Sequence, residues 1–456
     1  MLKIINPANE QTIRELESDT EESVRKKFNS ARSAQINWSR LPYSERHQKI
    51  LKFRGLLADK KEELSQVLTE EVGKPISQSR NELSGVLARV DYFLMQTEKV
   101  LSEEVVLSDS AGKLTEKITY EPLGVIANIS AWNYPYNVGM NVIIPALLAG
   151  NSVLYKPSEF AALTGLKIAG LVKESGVPED VFVPVIGEGN VGAAVLRQPI
   201  SGIFFTGSYA TGKKIAESVA SRLIRTQFEL GGKDPIYVCE DVSVESTVAS
   251  VADGAFYNTG QSCCSVERIY VHEKIYDSFL DSFLKTVRGY VVGDPRNDQT
   301  YIGPLTRKAQ LEVLERQCAD ALAKGAKCLT GGKRKLGKGY YFEPTVFSHV
   351  DHTMELMREE SFGPIIGIQK VSGDEQAISL MNDTEYGLTA GIYTLDPVRA
   401  GKALSELNSG SVYWNCCDRV SPRLPWSGRG HSGLGSTLSQ LGIFAFVQPK
   451  GWHLRG

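Results

Sequence analysis

Between residues 124 and 221 the sequence alternates short β-branched and apolar runs with longer stretches of helical periodicity, joined by few residues. Strand-like runs are predicted at 124–129, 152–156, 181–186 and 203–205, and helical runs at 138–148, 161–175 and 210–221. Parallel strands need long crossovers, and helices supply them, so this alternation predicts an open parallel α/β sheet. Ligands of such sheets sit at the carboxyl ends of the strands. A second α/β portion is predicted after Glu229, with strands at 234–238 and 269–272 and helices around 244–257, 275–290 and 306–324.

The flanks read differently. Apolar residues at three- and four-residue spacing, as in Ile50, Phe53, Leu56 and Leu57, predict a helical cover over 21–37, 44–73 and 77–100, broken at Leu41-Pro42 and Lys74-Pro75. Residues 104–122 alternate across Leu114, Glu116, Ile118 and Tyr120 with Gly112 in a turn, which reads as a hairpin. With 456 residues the chain has room for two or three domains.

Charge and cysteine content narrow the function. Fifty-one basic residues against 53 acidic ones give no broad field for nucleic acid or an anionic membrane, so a small molecule is the expected partner. The most apolar run, 142–154, is too short to span a bilayer and contains Pro145, Gly150 and Asn151. No export or organelle signal is read at the start. The seven cysteines form no CxxC pair and no zinc pattern with the six histidines, which predicts a reduced, cytoplasmic, metal-free protein.

One cysteine stands in a setting suited to chemistry. The stretch FYNTGQSCCSVER over 256–268 puts Cys263 in a Gly- and polar-rich loop between a helical pattern and a strand. A thiolate attacks carbonyl carbon and builds negative charge on the oxygen, which needs preorganised donors. Asn133, in the stiff turn SAWNYP over 130–135, is one candidate donor, and the Cys263 amide is another. Glu229 ends an apolar run before Gly231-Gly232 and is the candidate base. Taken singly, a buried small cysteine, a turn asparagine and a capping glutamate would be ordinary. Their joint order and spacing is not.

Together with YKPSE at 155–159, FTGS at 205–208, ELGGK at 229–233, NTGQSC at 258–263, EESFGP at 359–364 and YGLTAGIYT at 386–394, these residues make the chain resemble the aldehyde dehydrogenase superfamily over nearly its whole length. The resemblance implies an α/β fold with two open parallel α/β domains and a small β oligomerisation arm. It divides the chain into a dinucleotide-binding domain (1–103 and 123–231), a catalytic domain (232–435) and the arm (104–122 and 436–456). The arm implies a homodimer or homotetramer, although the alternation alone equally suits an edge hairpin.

For the cofactor, a carboxylate at Glu159 suits both adenine-ribose hydroxyls and repels a 2′-phosphate, which favours NAD, with NADP as the alternative; Lys156 suits either ribose. The Lys156-Pro157-Ser158-Glu159 stretch reads equally as a helix start. Gly207 and Ser208 open a helix whose free amides suit a pyrophosphate. The resemblance adds Trp132, Leu230 and Gly231, and places Glu360 and Phe362 at the nicotinamide end. It also implies oxidation of an aldehyde to an acid through a Cys263 thioester that Glu229 hydrolyses, since relatives that pass the acyl group to coenzyme A generally lack that glutamate. The CoA-acylating reaction and a non-catalytic protein of the same fold are the alternatives.

By register with the family, Tyr134, Asn141, Tyr257, Ser262, Cys264, Val420 and Trp426 line the aldehyde pocket, and Arg419 or Arg423 suits a substrate carboxylate. Two departures stand together. Where many members carry a Lys and a Glu, this chain has Val142 and Thr437. Loss of both ionic partners avoids leaving one buried charge unpaired.

Overall fold

The alternating region folds into a six-stranded sheet in the computed structural model, which describes residues 1–109 and 112–456. Across it run Gly433–Leu434, Arg225–Glu229, Gly202–Thr206, Val125–Ile129, Ser152–Lys156 and Phe182–Pro184. All neighbours are parallel except the first pair, where Gly433 lies opposite Glu229. Every residue of Ser152–Lys156 is buried, as a strand covered on both faces requires. From Val125–Ile129 the chain moves outward on one side through two strands, then returns to the other side with Gly202–Thr206. At that reversal the loops diverge and open a crevice, bordered by residues 130–133 and 207–208.

Helices Pro135–Leu148, Ala162–Glu174 and Tyr209–Val219 fall close to their predicted spans. The strand predicted at 181–186 is shorter, Phe182–Pro184, and ends at a proline that has no N–H to offer the ladder. Helix Gly189–Leu196 was not predicted from the sequence; two glycines in its eight residues blur the helical signal.

A seven-stranded sheet forms the second half, in the order Lys327–Thr330, Thr345–Ser348, Ile365–Val371, Val266–His272, Asp234–Val238, Thr389–Tyr393 and Ser411–Trp414. Only Lys327–Thr330 runs against its neighbour. The Cys263 loop enters Val266–His272 from the side that faces the first sheet's crevice, so the two halves meet around it. Strand Leu114–Pro122 pairs antiparallel with Glu104–Ser108 and with Val447–Arg455 at the chain's end. The turn of that predicted hairpin includes residues 110 and 111, which lie outside the described residues. Among the described residues no helix is long and apolar enough to cross a membrane.

The helix predicted over 44–73 is two, Tyr43–Asp59 and Lys61–Val72, broken at Lys60. Apolar spacing continues across the break, so periodicity alone does not reveal it; re-aiming the second helix buries both Leu57 and Leu64. Helix Ile76–Val100 then places Glu82 in the interior. Glu82 Oε1 accepts from the Tyr136 and Asn137 amides at 2.9 and 3.3 Å, and Oε2 accepts from Lys74 Nζ. The carboxylate thus satisfies free donors at the start of Pro135–Leu148, directly after Asn133, while the ammonium balances its charge. Both side chains are fully buried. Glu82→Ala leaves Lys74 unpaired and strips that helix start, so we expect a loss of about 3–5 kcal/mol, read as a lowered thermal midpoint in circular dichroism.

Candidate active site

Helix Val244–Phe256 ends at the junction of the two sheets, and residues 258, 259 and 260 follow in left-handed conformation, with φ of 53°, 59° and 70°. Non-glycine residues resist that region, so surrounding bonds must hold it. Asn258 N donates to Gln78 Oε1 at 2.8 Å, and Asn258 Nδ2 donates to the carbonyls of Asn133 and Gln261 at 3.2 and 2.9 Å. Thr259 Oγ1 accepts from Gly303 N at 3.0 Å. A Cβ on Gly260 would lie 2.3 Å from Gly363 O, so only glycine fits there. The pinned loop presents Cys263, half-buried, to a cavity of about 810 Å³.

Asn133, almost wholly buried, borders the same cavity, and its Nδ2 donates to Gln261 O at 3.2 Å. Glu229 ends strand Arg225–Glu229 one residue before Leu230, which lines the cavity wall. Its Oε1 accepts from Thr437 Oγ1. Burial pushes the Glu229 carboxyl up to about 7, against the lowering effect of the Thr437 bond, Arg89 and Thr206. A carboxyl that titrates near neutrality can take a proton and give it back. Val142 is buried, and the positive charge acting on Glu229 is that of Arg89 on helix Ile76–Val100.

All ten residues expected at the cofactor line this one cavity: Trp132, Lys156, Ser158, Glu159, Gly207, Ser208, Leu230, Gly231, Glu360 and Phe362. Lys156 Nζ is held by the Pro157 carbonyl at 3.3 Å and lies 3.9 Å from Glu159 Oε2, and burial lowers its pKa. Ser208 precedes helix Tyr209–Val219, whose first amides point toward the crevice end of the sheet. A Cβ on Gly231 would meet Glu360 Oε1 at 2.3 Å, and Glu360 Oε1 accepts from Gly232 N at 3.1 Å, so the glycines let that carboxylate close on the cavity. Burial and the neighbouring Glu267 push the Glu360 carboxyl upward. Trp132 and Phe362 meet edge to face at 5.5 Å. A cation beside a carboxylate, a helix start and two rings fit the ribose, pyrophosphate and nicotinamide parts of a dinucleotide.

The residues expected in the aldehyde pocket lie apart from that lining. Lys74 Nζ stands 3.8 Å over the Tyr134 ring, and Tyr257 Oη accepts from Asn81 Nδ2 at 3.1 Å. Cys264 lies 3.5 Å from Ser262 Oγ and donates to Asp418 Oδ1 at 3.0 Å. The bond to Cys263 and burial raise the Cys264 thiol well above its usual range, which keeps it a thiol. Trp426 is buried and exchanges backbone bonds of 2.8 and 2.9 Å with Thr437. Val420 packs partly buried against the same core, Asn141 accepts from Arg89, and Arg423 is exposed on the loop before Trp426.

Arg89 and Asp418 are absent from the sequence expectations. Arg89 could have been found, because it shares the apolar stripe of Val86, Val90 and Phe93 at helical spacing, where a charge is out of place. Asp418 has no such signal. It stands at φ 49° in an irregular loop, and burial pushes its carboxyl up to about 6.

Comparison with known proteins agrees with this architecture. The sequence profile described as the aldehyde dehydrogenase family matches residues 1–451. Aminoaldehyde dehydrogenase 1, peroxisomal, of Pisum sativum is 34% identical over 456 residues, covering 98% of this chain and 91% of that protein. The structure of lactaldehyde dehydrogenase from Escherichia coli superposes with a TM-score of 0.96 at 32% identity, covering 100% of this chain and 95% of the other. That of PnpE in complex with nicotinamide adenine dinucleotide gives 0.96 at 33% identity, covering 99% and 94%. The chain belongs to the aldehyde dehydrogenase family of NAD(P)-dependent oxidoreductases.

Proposed function

We propose that the chain oxidises an aldehyde to its carboxylic acid with NAD, by way of a thioester on Cys263. The observation that carries this reading is that Cys263 and Asn133 open onto the same cavity as Lys156, Ser208, Glu360 and Phe362, with Glu229 buried behind its wall. A thiol, an amide donor and a carboxyl titrating near neutrality surround one reaction space.

The Cys263 thiolate adds to the aldehyde carbon; a C–S bond forms and the carbonyl π pair moves to oxygen. Asn133 Nδ2 and the Cys263 amide donate to that oxygen. Lys156, Glu159, the 207–208 turn and Glu360 would hold the dinucleotide in the cleft, and its nicotinamide would supply the acceptor for two electrons as hydride. Oxidation of the adduct leaves a thioester on Cys263. Glu229 takes a proton from water, the water oxygen adds to the thioester carbon, and collapse releases the acid and returns the sulfur. The sum consumes aldehyde, NAD⁺ and water and yields acid, NADH and a proton.

Glu159 supports NAD over NADP, since a carboxylate at the adenine ribose repels a 2′-phosphate. In the same reading the six-stranded half with its helical cover binds the dinucleotide, and the seven-stranded half carries the nucleophile. The three-stranded arm, whose Val105, Val106, Leu107 and Leu454 are exposed, joins copies into a homo-oligomer. The named substrates of the pea and Escherichia coli relatives are aldehydes with a polar substituent, which supports a substrate of that kind here.

Absorbance at the reduced-nicotinamide band tests the reaction, with NAD or NADP, a panel of aldehydes, and CoA present or absent. CoA-independent NAD reduction is expected, and Cys263→Ala is expected to fall to background. Because Glu229 must be ionised and titrates at about 7, hydrolysis-limited turnover should fall about tenfold per pH unit below that value. Thr437→Val removes a donor that favours the charged form, so this acid limb should move to higher pH. An unmoved limb would separate Glu229 from the hydrolytic step.

A further inference from the structure

Strands Asp234–Val238, Val266–His272 and Ile365–Val371 lie side by side and parallel, so the segments that enter them meet at one end of the second sheet. The first segment carries Leu230 and Gly231, the second Cys263, and the third Glu360 and Phe362, and all five line the large cavity. The ladder begins at Asp234 opposite Val266 and reaches the third strand at Gly367 opposite Arg268. It therefore leaves residues 360–362 to be fixed by other bonds.

A buried ion pair supplies those bonds. Lys233 Nζ lies 2.6 Å from Glu267 Oε2, with both side chains almost wholly buried. Among the described residues, their other side-chain hydrogen bonds go to the third segment. Glu267 Oε2 also accepts from Ser361 N at 2.8 Å, Glu267 Oε1 accepts from Phe362 N at 3.0 Å, and Lys233 Nζ donates to Ser361 Oγ at 3.0 Å. Gln310, on the cavity wall, donates Nε2 to Ser361 O at 2.5 Å. Phe362 needs such a hold, because its φ of 47° is one that a bulky side chain resists. In that conformation its ring meets Trp132, while Glu360, directly before Ser361, accepts from Gly232 N. A buried ion pair adds little net stability over apolar side chains of similar volume, so stability alone does not account for this arrangement.

We propose that Glu267, held by Lys233, is a positioning residue for the cofactor: it sets the backbone of residues 361 and 362 so that Glu360 and Phe362 form a preformed seat for the nicotinamide ribose and ring. This rests on the NAD-linked reading given above, in which those two residues face the nicotinamide end. Neither Glu267 nor Lys233 lines the cavity, so the pair acts on the cofactor through residues 360–362. A seat held in place beforehand binds without first ordering its loop, and it fixes the ring for hydride transfer. The adenine end, at Glu159 and Ser208, follows strands of the other sheet and is independent of the pair.

The test uses Glu267→Gln, whose single acceptor oxygen cannot serve Ser361 N, Phe362 N and Lys233 together. NADH and ADP are titrated separately into wild type and variant. ADP carries the adenine half without nicotinamide, whereas the fluorescence of bound NADH arises in the nicotinamide ring itself. The variant should bind ADP within about twofold of wild type but NADH about tenfold or more weakly, as for lost hydrogen bonds to a charged group. The bound ring should also move more freely, read as a lowered fluorescence anisotropy of NADH at saturation. Equal NADH affinity and anisotropy in the two proteins overturn the proposal. So does a parallel loss of ADP and NADH binding in a folded variant, because that is the mark of a general structural role. A wild type that binds neither nucleotide overturns the dinucleotide reading itself, and the proposal with it. If Glu267→Gln does not fold because Lys233 is left unpaired, Lys233→Met combined with Glu267→Gln removes both charges, and the same comparison decides.

Discussion

Asn258 and Thr259 stand in a backbone conformation that their side chains disfavour, and bonds reaching to Gln78, Asn133 and Gly303 hold them there. Those partners come from the helical cover, the first sheet's crevice and the loop at residues 303–305 of the second half. The loop before Cys263 is therefore positioned by three separate parts of the chain. If it relaxed, the thiol and the Asn133 amide would lose their common register, since Gln261 O accepts from both Asn133 and Asn258. Strain of about 1–3 kcal/mol per residue is commonly stored at such sites, where the surroundings over-determine the geometry.

Charge placement follows a second logic. At Glu82 a buried carboxylate is paired with Lys74 and spends its lone pairs on the start of the helix that follows Asn133. At Glu229 a threonine hydroxyl donates, and Arg89 is the positive charge that acts on the carboxyl. Desolvation then dominates and brings the carboxyl to about 7. The same interior thus contains one carboxylate bound to an ammonium and another that titrates near neutrality.

Much of this was legible in the sequence. Period-two and helical runs between 124 and 221 gave the strand and helix order, because each element there is short, well patterned and bounded by glycine or proline. That Cys263, Asn133, Lys156, Ser158, Glu159, Gly207 and Ser208 border one cavity was legible because glycines and polar residues at strand ends have few structural reasons to occur together, whereas Glu360 and Phe362 were reached only through the family resemblance. The break at Lys60 was not, since apolar spacing continues through it. Helix Gly189–Leu196 was hidden by its glycines. Asp418 was hidden for another reason: its contact from Cys264, 154 positions away, is created only by folding, whereas Arg89 was legible as a charge on the apolar stripe of Val86, Val90 and Phe93.

The most direct measurement is intact-protein and peptide mass spectrometry of Glu229→Gln after a single mixing with aldehyde and NAD. With the nucleophile intact and the hydrolytic base removed, an acyl group should accumulate on the peptide carrying Cys263, with a mass matching the aldehyde less two hydrogens relative to its simple adduct. An unmodified Cys263 peptide alongside formation of NADH, or acylation at Cys264 instead, would contradict the assignment of Cys263 as the residue that carries the oxidised intermediate.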